Sequence, residues 1–139
     1  MGKSVRDAMS SNPCTIDADK PVVFAAKMMK DENVGIAPVV DGDQLIGTLT
    51  DRDIVVRVVA ERGDPQTVTV REVASKEIVT VDPEQDLDEA LRLMASHQVR
   101  RLPVVEEGGR VIGILAQADV AEKAKAKKTG ELVEEISKD

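Results

Sequence analysis

The sequence predicts an α+β fold built from two β-α-β-β-α units packed with pseudo-twofold symmetry. Three observations predict it. The chain contains an internal repeat. Each copy carries one apolar stripe at helical spacing. In each copy a glycine turn separates two short apolar runs.

The repeat comes first, because a missed repeat misassigns the whole fold. VRDAMSSNPCTIDADKPVVFAAKMM, from Val5, aligns without a gap on VREVASKEIVTVDPEQDLDEALRLM, from Val70, at an offset of 65. Thr15-Ile16-Asp17 falls on Thr80-Val81-Asp82, Met29 on Met94, and Pro38-Val39-Val40 on Pro103-Val104-Val105. One residue is then gained, where Asp41-Gly42-Asp43 faces Glu106-Glu107-Gly108-Gly109. Beyond it, Ile46-Gly47 meets Ile112-Gly113, Leu49 meets Leu115 and Asp53 meets Asp119. So many ordered matches do not arise by chance.

The elements follow in order within each copy. Ser4 with Asp7, and Thr69 with Glu72, are capping boxes that open a short lead-in helix. Cys14-Thr15-Ile16 and Ile78-Val79-Thr80-Val81 are β-prone runs. Val22, Ala25, Ala26 and Met29 then recur at helical spacing, as do Leu87, Ala90, Leu91 and Met94. Pro21 suits a first helical turn, and Asp86 with Glu89 forms an acidic cap. IAPVV and LIGTL flank the first glycine turn; LPVV and VIGIL flank the second. Their continuous apolar character predicts strands covered on both faces. A closing helix starts at Thr50 and stops at Gly63; its counterpart starts near Gln117. The predicted division is repeat 1 over 1–64, repeat 2 over 65–126 and a tail over 127–139. In the tail Leu132, Val133 and Ile136 leave a frayed end and a docked helix equally open.

Composition narrows the function. Hydrophobic residues make up 42% of the 139 residues but aromatics only 1%, so the core is aliphatic. Scarce aromatic rings and a net charge of −7 argue against nucleic acid as a partner. A single cysteine excludes an internal disulfide, and no run is long enough to cross a membrane. No signal-peptide pattern opens the chain, so the expectation is a cytoplasmic protein. There is no nucleophile–base pair, no cluster of metal ligands and no P-loop, so the expectation is no enzyme, no catalytic residue, no metal and no required cofactor.

The duplicated unit, the strings GIAPVV and RRLPVV, and GTLTDRDIV echoed by GILAQADVA resemble the CBS-domain family. The resemblance runs from Val5 to Ala126, nearly the whole chain. With no catalytic or membrane-spanning segment in view, the chain is similar to small stand-alone prokaryotic CBS pairs, or Bateman modules. The resemblance implies a regulatory module with two pseudo-symmetric clefts. An adenine nucleotide or a related adenosine compound, such as S-adenosylmethionine, would bind there. It further implies a homodimer formed through helices and, where a signal is passed on, a protein target. A ligand-free dimerisation module is the alternative.

The family pattern places a Ser or Thr three residues before an Asp, just after the last strand. Here Thr50 and Asp53 fit it. The same spacing is also a plain capping box. As a site, the helix N-terminus and hydroxyl would meet phosphate, and the carboxylate would accept from a ribose diol. Cleft A would join Thr50, Arg52 and Asp53 to Thr80, Val81, Val99, Arg100, Arg101, Leu102 and Pro103. Cleft B would join Asp119 to Thr15, Ile16, Val34, Gly35, Ile36, Ala37 and Pro38. Cleft B departs from the pattern, with Ala116 in place of the Thr and Gly35-Ile36 in place of Arg100-Arg101, so a phosphorylated ligand is expected in cleft A, and cleft B is expected empty or holding an uncharged adenosine-like group. Adjacent strand residues point to opposite faces, so regular geometry cannot send both arginines into one cleft. His97, without a second His or a nearby Cys in sequence, reads as a helix-terminal polar residue, and Cys14 as a small hydrophobe beside a strand.

Overall fold

The structure is a computed structural model that describes residues 3–11 and 13–121. The predicted tail and most of the second closing helix lie outside the described residues.

The order is α1 (Val5–Ala8), β1 (Ile16–Asp17), α2 (Val22–Glu32), β2 (Ile36–Asp41), β3 (Gln44–Thr50) and α3 (Asp51–Ile54), then α4 (Val70–Val73), α5 (Leu87–His97), β4 (Arg101–Val105) and β5 (Val111–Ala116). Residues 117–121 are helical. β2 pairs in parallel with β1 and antiparallel with β3; β4 pairs antiparallel with β5. Both hairpins shift register at the same place, between Val39 and Val40 and between Val104 and Val105. Gly42 at φ 66°, and Gly108 and Gly109 at 95° and 91°, take the left-handed conformations those turns require.

The repeats pair through backbone bridges that the sequence offset exchanges. Ser4 with Asp86 answers Thr69 with Pro21, and Ser10 with Ile114 answers Ser75 with Thr48. Gln44 bridges Arg110, which is its own counterpart. A pseudo-twofold therefore passes between the two hairpins.

These bridges exchange the lead-in helices. Val5 and Ala8 of α1 are buried with Leu87, Met94 and Leu115 of repeat 2. Val70 and Val73 of α4 are buried with Val22, Met29 and Leu49 of repeat 1. Val5 N–H donates to the Gln85 carbonyl at 2.8 Å, and Val70 N–H to that of Lys20 at 2.9 Å. Residues 1–64 and 65–126 thus divide the sequence repeats but not the two cores. Each buried valine contributes about 1.5–3 kcal/mol to the core that receives it.

Three capping boxes form as the spacing predicts, at Ser4–Asp7, Thr50–Asp53 and Thr69–Glu72. Asp86 caps through the N–H of Asp88 rather than through Glu89. Ile78–Val81 builds no strand, only the single parallel bridge of Val81 to Val104. α2 and α5 end on Asn33 and Gln98 at φ 54° and 55°, matching positions in the left-handed conformation. The first closing helix widens into a π-helix over Val55–Val59. Gly63 N–H still bonds the Val58 carbonyl at 2.8 Å, but the left-handed stop is Arg62 at φ 60°.

Candidate functional site

Strand periodicity builds the site. Cross-strand partners project from the same face. Ile36 pairs with Thr50 and Pro38 with Thr48; Arg101 pairs with Ala116 and Pro103 with Ile114. The alternate residues Ala37, Val39 and Leu49, and Leu102, Val104 and Leu115, fill the two cores. The strands are therefore apolar on both faces, one turned to a helical layer and one to the other repeat.

Between the repeats lies a cavity of about 480 Å³. Ile36, Pro38 and Thr48 line it from one hairpin, and Arg101, Pro103, Ile114 and Ala116 from the other. Cys14, Glu32 and Val34 of repeat 1 close one end, and Ala118 and Asp119 of repeat 2 another. Its size falls within the usual range for small-molecule pockets, about 300–1,000 Å³. The walls are apolar, with three charged groups: Glu32, Arg101 and Asp119.

The cavity brings together Val34, Ile36, Pro38 and Asp119 of the predicted cleft B. It also takes Arg101, Leu102 and Pro103, which the sequence reading grouped with Thr50. Ile36 and Arg101 are equivalent positions, as are Pro38 and Pro103. Arg101 begins β4 and shares its face with Ala116, which turns it toward this cavity. Arg100 precedes the strand, is exposed, and does not line the cavity.

Thr50 and Asp53, expected in cleft A, do not line this cavity and form their capping box. Thr50 N–H donates to Asp53 Oδ2 at 2.9 Å, and Asp53 N–H to Thr50 Oγ1 at 3.0 Å. Asp53 Oδ1 lies 3.9 Å from Arg57 Nε. A carboxylate has about four lone-pair sites, so this arrangement leaves acceptors for a diol. Ile16, Ala37, Val81 and Leu102 bury their side chains in the cores, leaving only backbone to meet a ligand. Thr15 and Val99 are half-buried; Gly35, Arg52 and Thr80 are exposed.

Burial pushes the Cys14 thiol above its ordinary pKa; the Glu32 carboxylate adds to the rise, and the Arg101 charge opposes it. Glu32 and Arg101, both lining the cavity, thus act on Cys14 with opposite sign. The sequence reading missed Glu32, Cys14 and Thr48 as lining residues. Thr48 was findable, because it lies two residues before Thr50 on the same strand face.

Two segments, residues 5–60 and 70–126, match the CBS domain. The chain belongs to the CBS-domain family. YhcV of Bacillus subtilis, a CBS domain-containing protein, is 44% identical over 85% of this chain and 83% of its own length. The crystal structure of Hypoxic Response Protein I with two coordinated zinc ions has a TM-score of 0.78 at 37% identity, over 87% of this chain and 98% of that one. The CBS pair of protein MJ0100, in complex with 5′-methylthioadenosine and S-adenosyl-L-methionine, has a TM-score of 0.78 at 25% identity, over 91% and 99%. This CBS pair is a mixed helix-and-strand module of two repeats. No described helix is long and apolar enough to cross a membrane, and no group of three His, Cys, Asp or Glu among the described residues is placed to hold a metal ion.

Proposed function

We propose that this CBS pair is a homodimeric cytoplasmic sensor that binds an adenosine-containing ligand between its repeats. The observation that carries the reading is the cavity around Asp119 and Arg101. It offers apolar walls for a purine, a carboxylate acceptor for a ribose diol, and a guanidinium for an anionic group. The adenosine compounds bound by the MJ0100 pair support the same ligand class. Thr50 and Asp53 offer a second, pseudo-symmetric position, where the α3 N-terminus and a hydroxyl stand beside the carboxylate.

Ligand in this space would touch both sheets at once. Because each lead-in helix is buried in the other repeat's core, a change in spacing between sheets would reach α1 and α4 directly. That is the route by which occupancy would alter the outer surface and, through it, a protein target. Calorimetric titration with adenosine, AMP, ADP, ATP, S-adenosylmethionine and 5′-methylthioadenosine tests the reading. At least one should bind; silence across the panel at millimolar ligand overturns it. A second reading, a ligand-free interaction module, draws on the exposed apolar side chains of repeat 1. It predicts that same silence with dimerisation intact.

A further inference from the structure

The charged side chains that line the cavity, Glu32, Arg101 and Asp119, set two carboxylates against one guanidinium. Among the described residues no ion pair uses any of them. A ligand entering there meets charges that no described side chain neutralises. Glu32 and Arg101 both act on the Cys14 thiol, so an anionic and a cationic group stand near the same point of the wall.

The duplication shows what this cavity lacks. In repeat 1 the positions that match Ala116 and Ala118 are Thr50 and Arg52, a hydroxyl and a second cation. In repeat 2 the position that matches Glu32 is His97. At all three the cavity carries the residue less suited to phosphate: methyl groups for a hydroxyl and a guanidinium, and a carboxylate for an imidazole.

In the function proposed above, Asp119 takes the ribose diol. Glu32 and Arg101 then remain for the 5′ substituent. A polyphosphate suits them poorly. One guanidinium pairs with one phosphate, and each further phosphate adds negative charge beside Glu32. Between the apolar side chains of Val34, Ile36 and Pro38 such repulsion exceeds that in bulk water. The net charge of −7 on the chain acts the same way at longer range. An α-amino-acid group suits them well, because its carboxylate accepts from the guanidinium and its ammonium donates to the Glu32 carboxylate.

We propose that Glu32 sets the ligand class of this cavity: it admits an adenosine compound whose 5′ substituent pairs a cation with one anion, an adenosyl amino acid, and rejects adenosine di- and triphosphates. The inference rests on the adenosine reading above and adds the discriminating residue to it.

Calorimetric titration of S-adenosylhomocysteine, 5′-methylthioadenosine and ATP into wild type, Glu32→Gln and Glu32→Lys tests it. The first two ligands share the thioether, and only the first carries the amino-acid group. The wild type should bind S-adenosylhomocysteine about tenfold or more tighter than 5′-methylthioadenosine, and about a hundredfold tighter than ATP. Glu32→Gln should weaken S-adenosylhomocysteine about tenfold, leave 5′-methylthioadenosine unchanged and strengthen ATP about tenfold. Glu32→Lys should reverse the order of S-adenosylhomocysteine and ATP. Glu32 is exposed at the end of α2, and melts without ligand check each variant; Glu32→Gln decides alone if the lysine variant is unfolded. ATP or 5′-methylthioadenosine binding as tightly as S-adenosylhomocysteine in the wild type overturns the selectivity and leaves the adenosine reading standing. So does an unchanged ratio of S-adenosylhomocysteine to ATP in Glu32→Gln. Silence from every adenosine compound overturns both.

Discussion

Replacing Gly113 with Ala tests the exchange of lead-in helices. A Cβ there would sit 2.6 Å from the Ser10 carbonyl oxygen and 2.8 Å from Met9 Sδ. The thioether can swing aside. The carbonyl is held, because it accepts from Ile114 N–H at 3.0 Å while Ser10 N–H donates to Ile114 at 2.8 Å. Relief requires sliding the segment after α1 off β5. Two backbone hydrogen bonds, each worth about 1 kcal/mol net, would weaken. Ala8 and Val5 would lose part of their packing in the repeat 2 core. Against this, alanine restricts the unfolded chain and returns about 0.4–1 kcal/mol. The balance is a loss of about 2–3 kcal/mol, which for a chain of this size lowers Tm by roughly 6–15 °C. Gly47→Ala should behave alike, since its Cβ would meet the Ser75 carbonyl at the same 2.6 Å. Gly42→Asn is the control: it has open space around it and a φ of 66° that Asn tolerates. Thermal melts by circular dichroism read all three. If both alanine variants melt within 2 °C of wild type, the close approach of each β-strand to the other repeat's lead-in segment is refuted.

Further outcomes follow from the cavity. Arg101→Ala should weaken AMP about tenfold or more while changing adenosine little, because a charge-assisted contact is worth roughly 1.5–3 kcal/mol. Equal losses for both ligands, measured by calorimetry, would mean the arginine acts through the fold. Glu32→Gln should lower the Cys14 pKa and speed its reaction with Ellman's reagent at pH 8, since Glu32 is the largest cause of the rise after burial. An unchanged rate contradicts the contact. A thiol raised in the folded state favours folding only while protonated. Its contribution is therefore present below the ordinary thiol pKa and lost as pH rises through the folded value. Cys14→Ser should flatten that alkaline decline in melting temperature, and an equal decline in both proteins refutes the assignment. A saturating ligand should also slow the wild-type thiol, because Cys14 lines the same cavity.

Much of the fold is legible in the sequence because duplication writes each element twice. The hairpins are visible from Asp41-Gly42 and Gly108-Gly109, and the three capping boxes from their spacing. The exchange of α1 and α4 is not visible. Periodicity says that Val5 and Ala8, or Val70 and Val73, share a face; it does not say which core receives that face. The strand expected at Ile78–Val81 reduces to one bridge, Val81 to Val104. The π-helix is also hidden, although four β-branched valines within five residues crowd an ordinary turn there. At the site, the sequence separates two clefts by motif. Register then turns Arg101 and Ala116 onto one face, so residues written down for both clefts line a single cavity.

The central claim is that an adenosine ligand occupies the space between the repeats and is held through Asp119. Calorimetric titration of the best ligand of the panel into wild type, Asp119→Ala and Asp53→Ala tests it most directly. Loss of the Asp53 cap costs about 1 kcal/mol, so melts without ligand accompany each titration. The account predicts that Asp119→Ala removes binding at the described cavity while Asp53→Ala retains it. Normal binding by Asp119→Ala would contradict it, and loss in Asp53→Ala instead would move the ligand to the cleft of Thr50.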